Sequence, residues 1–115
     1  MKKLNITERR NKSIVILDLK GNIRLGESSR ELHNEIRKLV ETGEKKILLN
    51  LADVSSMDSS GLGELVSAYA TVQRGGGELK LVHLTDRISE LMMITKLLTV
   101  FDVYENEEAA ANGFQ

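Results

Sequence analysis

The chain has no cysteine, no proline and no tryptophan; its aromatic residues are two tyrosines and two phenylalanines. Without cysteine there is no disulfide, no thiolate nucleophile and no cysteine-ligated zinc. Without proline, no turn rests on a cis-proline and no helix bends at one. So few aromatics offer little for bases to stack on. Sixteen basic residues against seventeen acidic ones leave a formal charge of -1, so no strong field draws the chain to nucleic acid. No apolar run approaches the ~18–20 residues that cross a bilayer. The opening "MKKLNITERR" is basic but lacks the apolar core of a secretion signal. A soluble cytoplasmic protein without membrane insertion is the expectation.

What is present points to one folded domain spanning residues 1–115. A chain of 115 residues with 41% apolar content can bury very roughly two-thirds of its unfolded surface, so a core holds it without staples. "LNITERR" alternates apolar and polar residues like a half-buried strand. "SIVILDLKG", after the turn "NKS", is a short β-branched run that predicts a buried strand hairpinned to the first. "GESSRELHNEIRKLVETG" predicts a helix. Ser28 and Glu31 match a capping box, Leu32, Ile36, Leu39 and Val40 share one face, and Gly43 ends it.

"KKILLNLADV" predicts a further buried strand, followed by "SSMDSSG" as a joint and a helix through "LGELVSAYATVQRGGG". Leu62, Leu65, Val66, Tyr69 and Val72 or Gln73 mark that helix's inner face, and Gly75 to Gly77 close it. "ELKLVHL" is a short strand. "TDRISELMMITKLL" is a helix capped by Thr85 or Asp86, with Ile88, Leu91, Met92 and Thr95 inward. "VFDVYEN" is extended, and "NEEAAANGF" is a short helix capped by Asn106. The order β-β-α-β-α-β-α-β-α calls for an α/β fold: a sheet with a parallel portion and crossover helices packed on it.

The segment "SSMDSSGLGEL", Ser55 to Leu65, raises a question of chemistry. A helix start needs about one capping side chain, and Asp58 or Ser59 supplies it. Ser55, Ser56, Ser59 and Ser60 exceed that need. Gly61 and Gly63 each cost roughly 1 kcal/mol against alanine inside a helix, so the first turn is expected to need clearance for backbone or a partner. No nucleophile elbow G-x-S-x-G surrounds Ser59 or Ser60, and no signature links them to His33 or His83, which argues against a hydrolase. His33 is expected on a helix surface and His83 at a strand end. No Walker pattern occurs, "GGG" follows a helix rather than preceding one, and no cluster has metal-ligand spacing. A serine here can instead be a substrate. A phosphate at a helix N-terminus meets free N–H groups and the positive end of the dipole, so the fold can carry it.

"ILLNLADVSSMDSSGLGEL" resembles the signature of STAS domains, specifically the bacterial anti-sigma factor antagonists. The resemblance extends over "LKGNI", "GGGELKLV" and "LLTVFDVYENEEAA" and so covers most of the chain. It implies the STAS fold, a mixed four- to five-stranded sheet flanked by about four helices, acting as a non-enzymatic partner-switching module; no cofactor or metal is expected. Its partners would be an anti-sigma factor with serine kinase activity and a serine phosphatase. It places the phosphorylated residue at Ser60, the aspartate that shapes the turn at Asp58, and the turn and partner contact at Ser59, Gly61, Leu62 and Gly63. Arg24 in "GNIR" stands where the family pattern leads one to expect an aspartate. It is read either as a solvated loop cation or as an altered kinase or partner surface. A rival expectation is the same fold as a scaffold in a stressosome-like assembly or a membrane transport complex.

Overall fold

A computed structural model describes residues 4–114; Met1 to Lys3 and Gln115, which the single-domain expectation includes, lie outside the described residues. β1 (Leu4–Asn11) and β2 (Ile14–Ile23) form the expected antiparallel hairpin across a two-residue turn. Then follow α1 (Glu27–Glu41), β3 (Lys46–Met57), α2 (Ser59–Arg74), β4 (Glu78–Val82), α3 (Asp86–Ile94), β5 (Asp102–Tyr104) and α4 (Glu107–Gly113). The strands stand in the sheet in chain order, and β2 to β5 run parallel. The expected element order and α/β class are therefore present, with five strands.

Right-handed crossovers that step in one direction put their helices on one face of a sheet. α1, α2 and α3 accordingly share one core with Val15, Leu17 and Leu19 of β2, Ile47, Leu49 and Leu51 of β3, and Leu79 and Leu81 of β4. The intervening residues Ile14, Ile16, Leu48 and Val82 point the other way and meet Ala110 of α4, with Tyr104 and Phe114 beside it. Burial on both faces is why these strands read as unbroken apolar runs rather than alternating ones. Among the described residues no helix is long and apolar enough to cross a membrane.

The face under α4 is completed by charge. Lys80 is buried. Its Nζ lies 3.1 Å from Asp102 and 5.3 Å from the ring centroids of both Tyr104 and Phe114. Burial works against its charge, and the hydrogen bond and charge of Asp102, with Tyr104, more than offset that and raise its pKa. Arg9 of β1 bridges Asp18 of β2 at 2.5 Å and Glu107 of α4 at 2.7 Å, and Asn50 donates to the same Asp18 at 2.8 Å.

Several local expectations need correction. α1 begins two residues earlier than a Ser28 cap allows: its N-cap is Gly26, at φ 108°, without a side-chain cap. Ser28 is instead buried within the helix. Residues 55–57, expected in the joint after the strand, belong to β3 itself. Thr95 is not on the inner face of α3; it is the exposed C-cap, and its hydroxyl donates to the Leu91 carbonyl at 2.8 Å. Asp58, Thr85 and Asn106 cap α2, α3 and α4 through their side chains, and Gly43 follows α1 at φ 89°.

The Arg9 hydrogen bond holds the Asp18 carboxyl below its usual pKa. A carboxylate depressed in this way adds stability above its unfolded pKa of about 4 and loses it as pH falls through the folded value. Urea denaturation should therefore show wild type more stable than Asp18→Asn at pH 7. The gap should shrink steadily below about pH 4. A gap independent of pH would show that the ion pair contributes nothing through charge.

Candidate functional site

β3 outruns β4. It pairs with β4 only as far as Asn50, and beyond that runs beside β2 alone, across two register shifts, to Met57. Hydroxyls fasten this two-stranded extension. Ser55 Oγ lies 3.2 Å from the Gly21 carbonyl and 2.9 Å from Asn22 Oδ1; Ser56 Oγ donates to the same Asn22 oxygen at 2.6 Å. Arg24 Nε donates to Ser56 Oγ at 3.0 Å. The backbone of Arg24 is itself clamped by Ser28, whose Oγ accepts from Arg24 N–H at 3.0 Å and donates to Arg24 C=O at 3.1 Å. Arg24 is therefore exposed but anchored, not a loose loop cation.

Asp58 organises the turn into α2. Its Oδ1 accepts from Gly61 N–H at 2.8 Å, and its Oδ2 accepts from Leu25 N–H at 3.3 Å. Its own N–H donates to the Ile23 carbonyl at 3.4 Å, and its C=O accepts from Leu62 N–H at 3.0 Å. One residue thus closes the helix start and ties it to the β2–α1 loop. The Gly61 N–H, joined by the Leu25 N–H and the positive Arg24 nearby, lowers the Asp58 pKa, so the carboxylate stays ionised.

The two glycines have different tasks. Gly61 is buried, and a Cβ there would run into the carbonyl oxygen of Ile23 and stand 2.8 Å from its carbonyl carbon. Its clearance serves this chain's own backbone. Gly63 is exposed, with nothing within 4 Å of the Cβ it lacks. Leu62 is 2% exposed and belongs to the core. Gly61 and Leu62 hold the turn in place, and Gly63 is the member of the trio that presents surface.

Ser59 and Ser60 are the first two residues of α2. Ser59 is exposed and Ser60 half-buried, and neither hydroxyl makes a hydrogen bond among the described residues. His33 is half-buried rather than a free surface residue; its Nδ1 lies 3.0 Å from Oε1 of Glu64, one turn beyond Ser60. His83 stands at the end of β4 as expected, at φ 59°, and lines an open cleft of about 910 Å³ with Phe101 and Tyr104. No hydrogen bond joins either histidine to either serine. Among the described residues no group of three or more histidines and carboxylates is placed to hold a metal. The arrangement offers uncommitted hydroxyls at a helix N-terminus, not an activated nucleophile.

Sequence reasoning found the cap, the excess hydroxyls and the need for clearance. It missed the Ser28 clamp on Arg24, the Ile23–Gly61 contact and the His33–Glu64 link. The glycine inside a helical pattern was the one available signal for the second.

The STAS domain family model matches residues 5–110. The chain is 32% identical over 105 residues to an anti-sigma-B factor antagonist of Bacillus subtilis, a match covering 91% of this chain and 94% of that one. The crystal structure of an anti-sigma factor antagonist from Mycobacterium paratuberculosis superposes with a TM-score of 0.81 at 16% identity, covering 96% of this chain and 93% of the other. The Bacillus cell fate determinant SpoIIAA in its phosphorylated form superposes with a TM-score of 0.71 at 18% identity, covering 94% and 98%. These two structural likenesses speak to the fold.

Gly61→Ala should destabilise the protein by about 1–3 kcal/mol or more, because backbone rather than a flexible side chain must give way. Gly63→Ala, in open space at a helical position, should stabilise it by up to about 1 kcal/mol. Chemical denaturation of the two variants measures both, and equal effects would contradict the division of roles.

Proposed function

The chain belongs to the STAS domain family, and from that premise we propose that it is an anti-sigma factor antagonist switched by a phosphate on Ser60. Unphosphorylated, it binds an anti-sigma factor that is also a serine kinase, and so frees the sigma factor. The kinase phosphorylates Ser60, the complex parts, and a serine phosphatase restores the hydroxyl. The chain is a substrate in this cycle and not an enzyme. It acts in the cytoplasm, where the sigma factor meets its polymerase.

One observation carries this reading: α2 opens with hydroxyls that the fold does not use, on a turn whose other polar side chains are all engaged. The resemblance of "DSSG" to the family motif favours the second of them, Ser60. The physical setting suits a phosphate. The helix N-terminus favours an anion, and the Asp58 cap does not depend on the Ser60 hydroxyl. A phosphate adds a charge of about −1.5 to −2. With Asp58 two residues before and Glu64 one turn after, the face becomes strongly anionic. A partner that fits the neutral hydroxyl is then repelled, while the core beneath is untouched. The SpoIIAA structure cited above carries phosphate on the same fold.

Incubation with the cognate kinase and ATP, followed by mass spectrometry, should place the phosphate on Ser60. Ser60→Asp should weaken binding to the anti-sigma factor at least about tenfold, which is about 1.4 kcal/mol. Ser60→Ala should keep wild-type affinity and remain bound when ATP is added. Equal affinities for the two variants would sink the switch.

A further inference from the structure

The Gly61–Ile23 approach has a charged residue on one side and the proposed phosphoacceptor on the other. Gly61 rests on the carbonyl group of Ile23. Ser60 immediately precedes Gly61, and Arg24 immediately follows Ile23. Each therefore lies one Cα–Cα step, about 3.8 Å, from the point where the two backbones touch, so the two side chains leave from either side of the same contact. Hydrogen bonds fix both approaches. Asp58 holds Gly61 N–H and Leu25 N–H with its two oxygens, and Ser28 clamps Arg24 at both N–H and C=O.

The guanidinium has a partner it can exchange. Among the described residues Arg24 donates to a neutral hydroxyl, Ser56 Oγ, and has no carboxylate within ion-pair distance. A hydrogen bond to an ionised acceptor is roughly twice as strong as one between neutral groups, and a guanidinium matches phosphate oxygens two at a time. A dianion arriving at Ser60 is thus a better partner than Ser56, within reach of a cation whose backbone is already held.

We propose that Arg24 is the built-in counter-ion of phosphorylated Ser60: on phosphorylation its guanidinium leaves Ser56 and pairs with the phosphate. The inference rests on the reading of Ser60 as the acceptor. The pair draws the phosphate towards the β2–α1 loop and fixes its orientation, so that the phosphorylated turn is one ordered surface rather than a free anion. Arg87 and Glu90 of α3 line the same groove as Arg24 and Ser56, but neither adjoins Ile23 or Gly61 in the chain, and Arg87 therefore serves as the control cation.

The test uses the full chain with phosphoserine installed genetically at position 60 and a ³¹P NMR titration of its second ionisation, which lies near pH 6 in the absence of partners. A paired guanidinium favours the dianion and lowers that pKa. Arg24→Ala should raise it by about half a unit or more, as should Arg24→Gln, which keeps a donor for Ser56 without the charge. Arg24→Lys should recover part of the difference, and Arg87→Ala should leave the value at wild type. An unmoved pKa in both Arg24→Ala and Arg24→Gln would overturn the pairing, as would an equal rise in Arg87→Ala. Because the phosphate is installed without a kinase, the result stands apart from the mass-spectrometric mapping. Phosphate found elsewhere on the kinase-treated chain overturns the reading of Ser60, whereas an unmoved pKa overturns only the role of Arg24.

Discussion

The start of α2 lies against the end of β2 so closely that no side chain fits between Gly61 and the Ile23 carbonyl. That contact fixes where the site is. It sets α2 on the sheet at one depth, so that Leu62 and Leu65 enter the core while Ser59 stays outside and Ser60 half outside. It also brings the β2–α1 loop within reach of Asp58, whose two oxygens then join loop and helix. Exchange Gly61 for any larger residue and each of these placements has to shift.

The frame that holds this contact is rigid for ordinary reasons. Three helices cover one face of the sheet and a short fourth helix covers part of the other. Fully buried Leu, Ile and Val side chains each contribute about 1.5–3 kcal/mol, whereas half-exposed ion pairs such as Arg9–Glu107 contribute up to about 1 kcal/mol. The core therefore decides that the chain folds. The charges decide smaller matters, chiefly where α4 sits. A strong frame of this kind lets the site carry a change in charge without a change in fold.

Most of the architecture was legible in the sequence because its signals are local. Apolar runs of Ile, Val and Leu marked the strands. The 3.6-residue spacing of Leu32, Ile36 and Leu39 marked a helix face, and Asp58, Thr85 and Asn106 marked helix starts. What was not legible depends on residues far apart in the chain. Ser28 looked like a cap because its spacing to Glu31 fits one; the structure instead uses Gly26 at a positive φ and turns Ser28 inward to grip Arg24. Gly61 was recognised as needing space, but the neighbour that needs it, Ile23, is 38 positions earlier (61 − 23). His33 and Glu64 meet only because α1 and α2 pack side by side. The acceptor role proposed for Ser60 has no local physical signature that separates it from Ser59; only the resemblance to the family motif favours one over the other.

The proposed switch works by charge on a fixed turn and not by rearrangement of the domain. Amide ¹H–¹⁵N spectra of the full chain with serine and with phosphoserine at position 60 test this most directly. The predicted result is that shifts change at residues 22–28 and 55–64, around the Asp58 contacts and the first turn of α2, and hold elsewhere. Shifts spread along α1 beyond Ser28 and through β4 and α4, or a loss of dispersion across the spectrum, would contradict it.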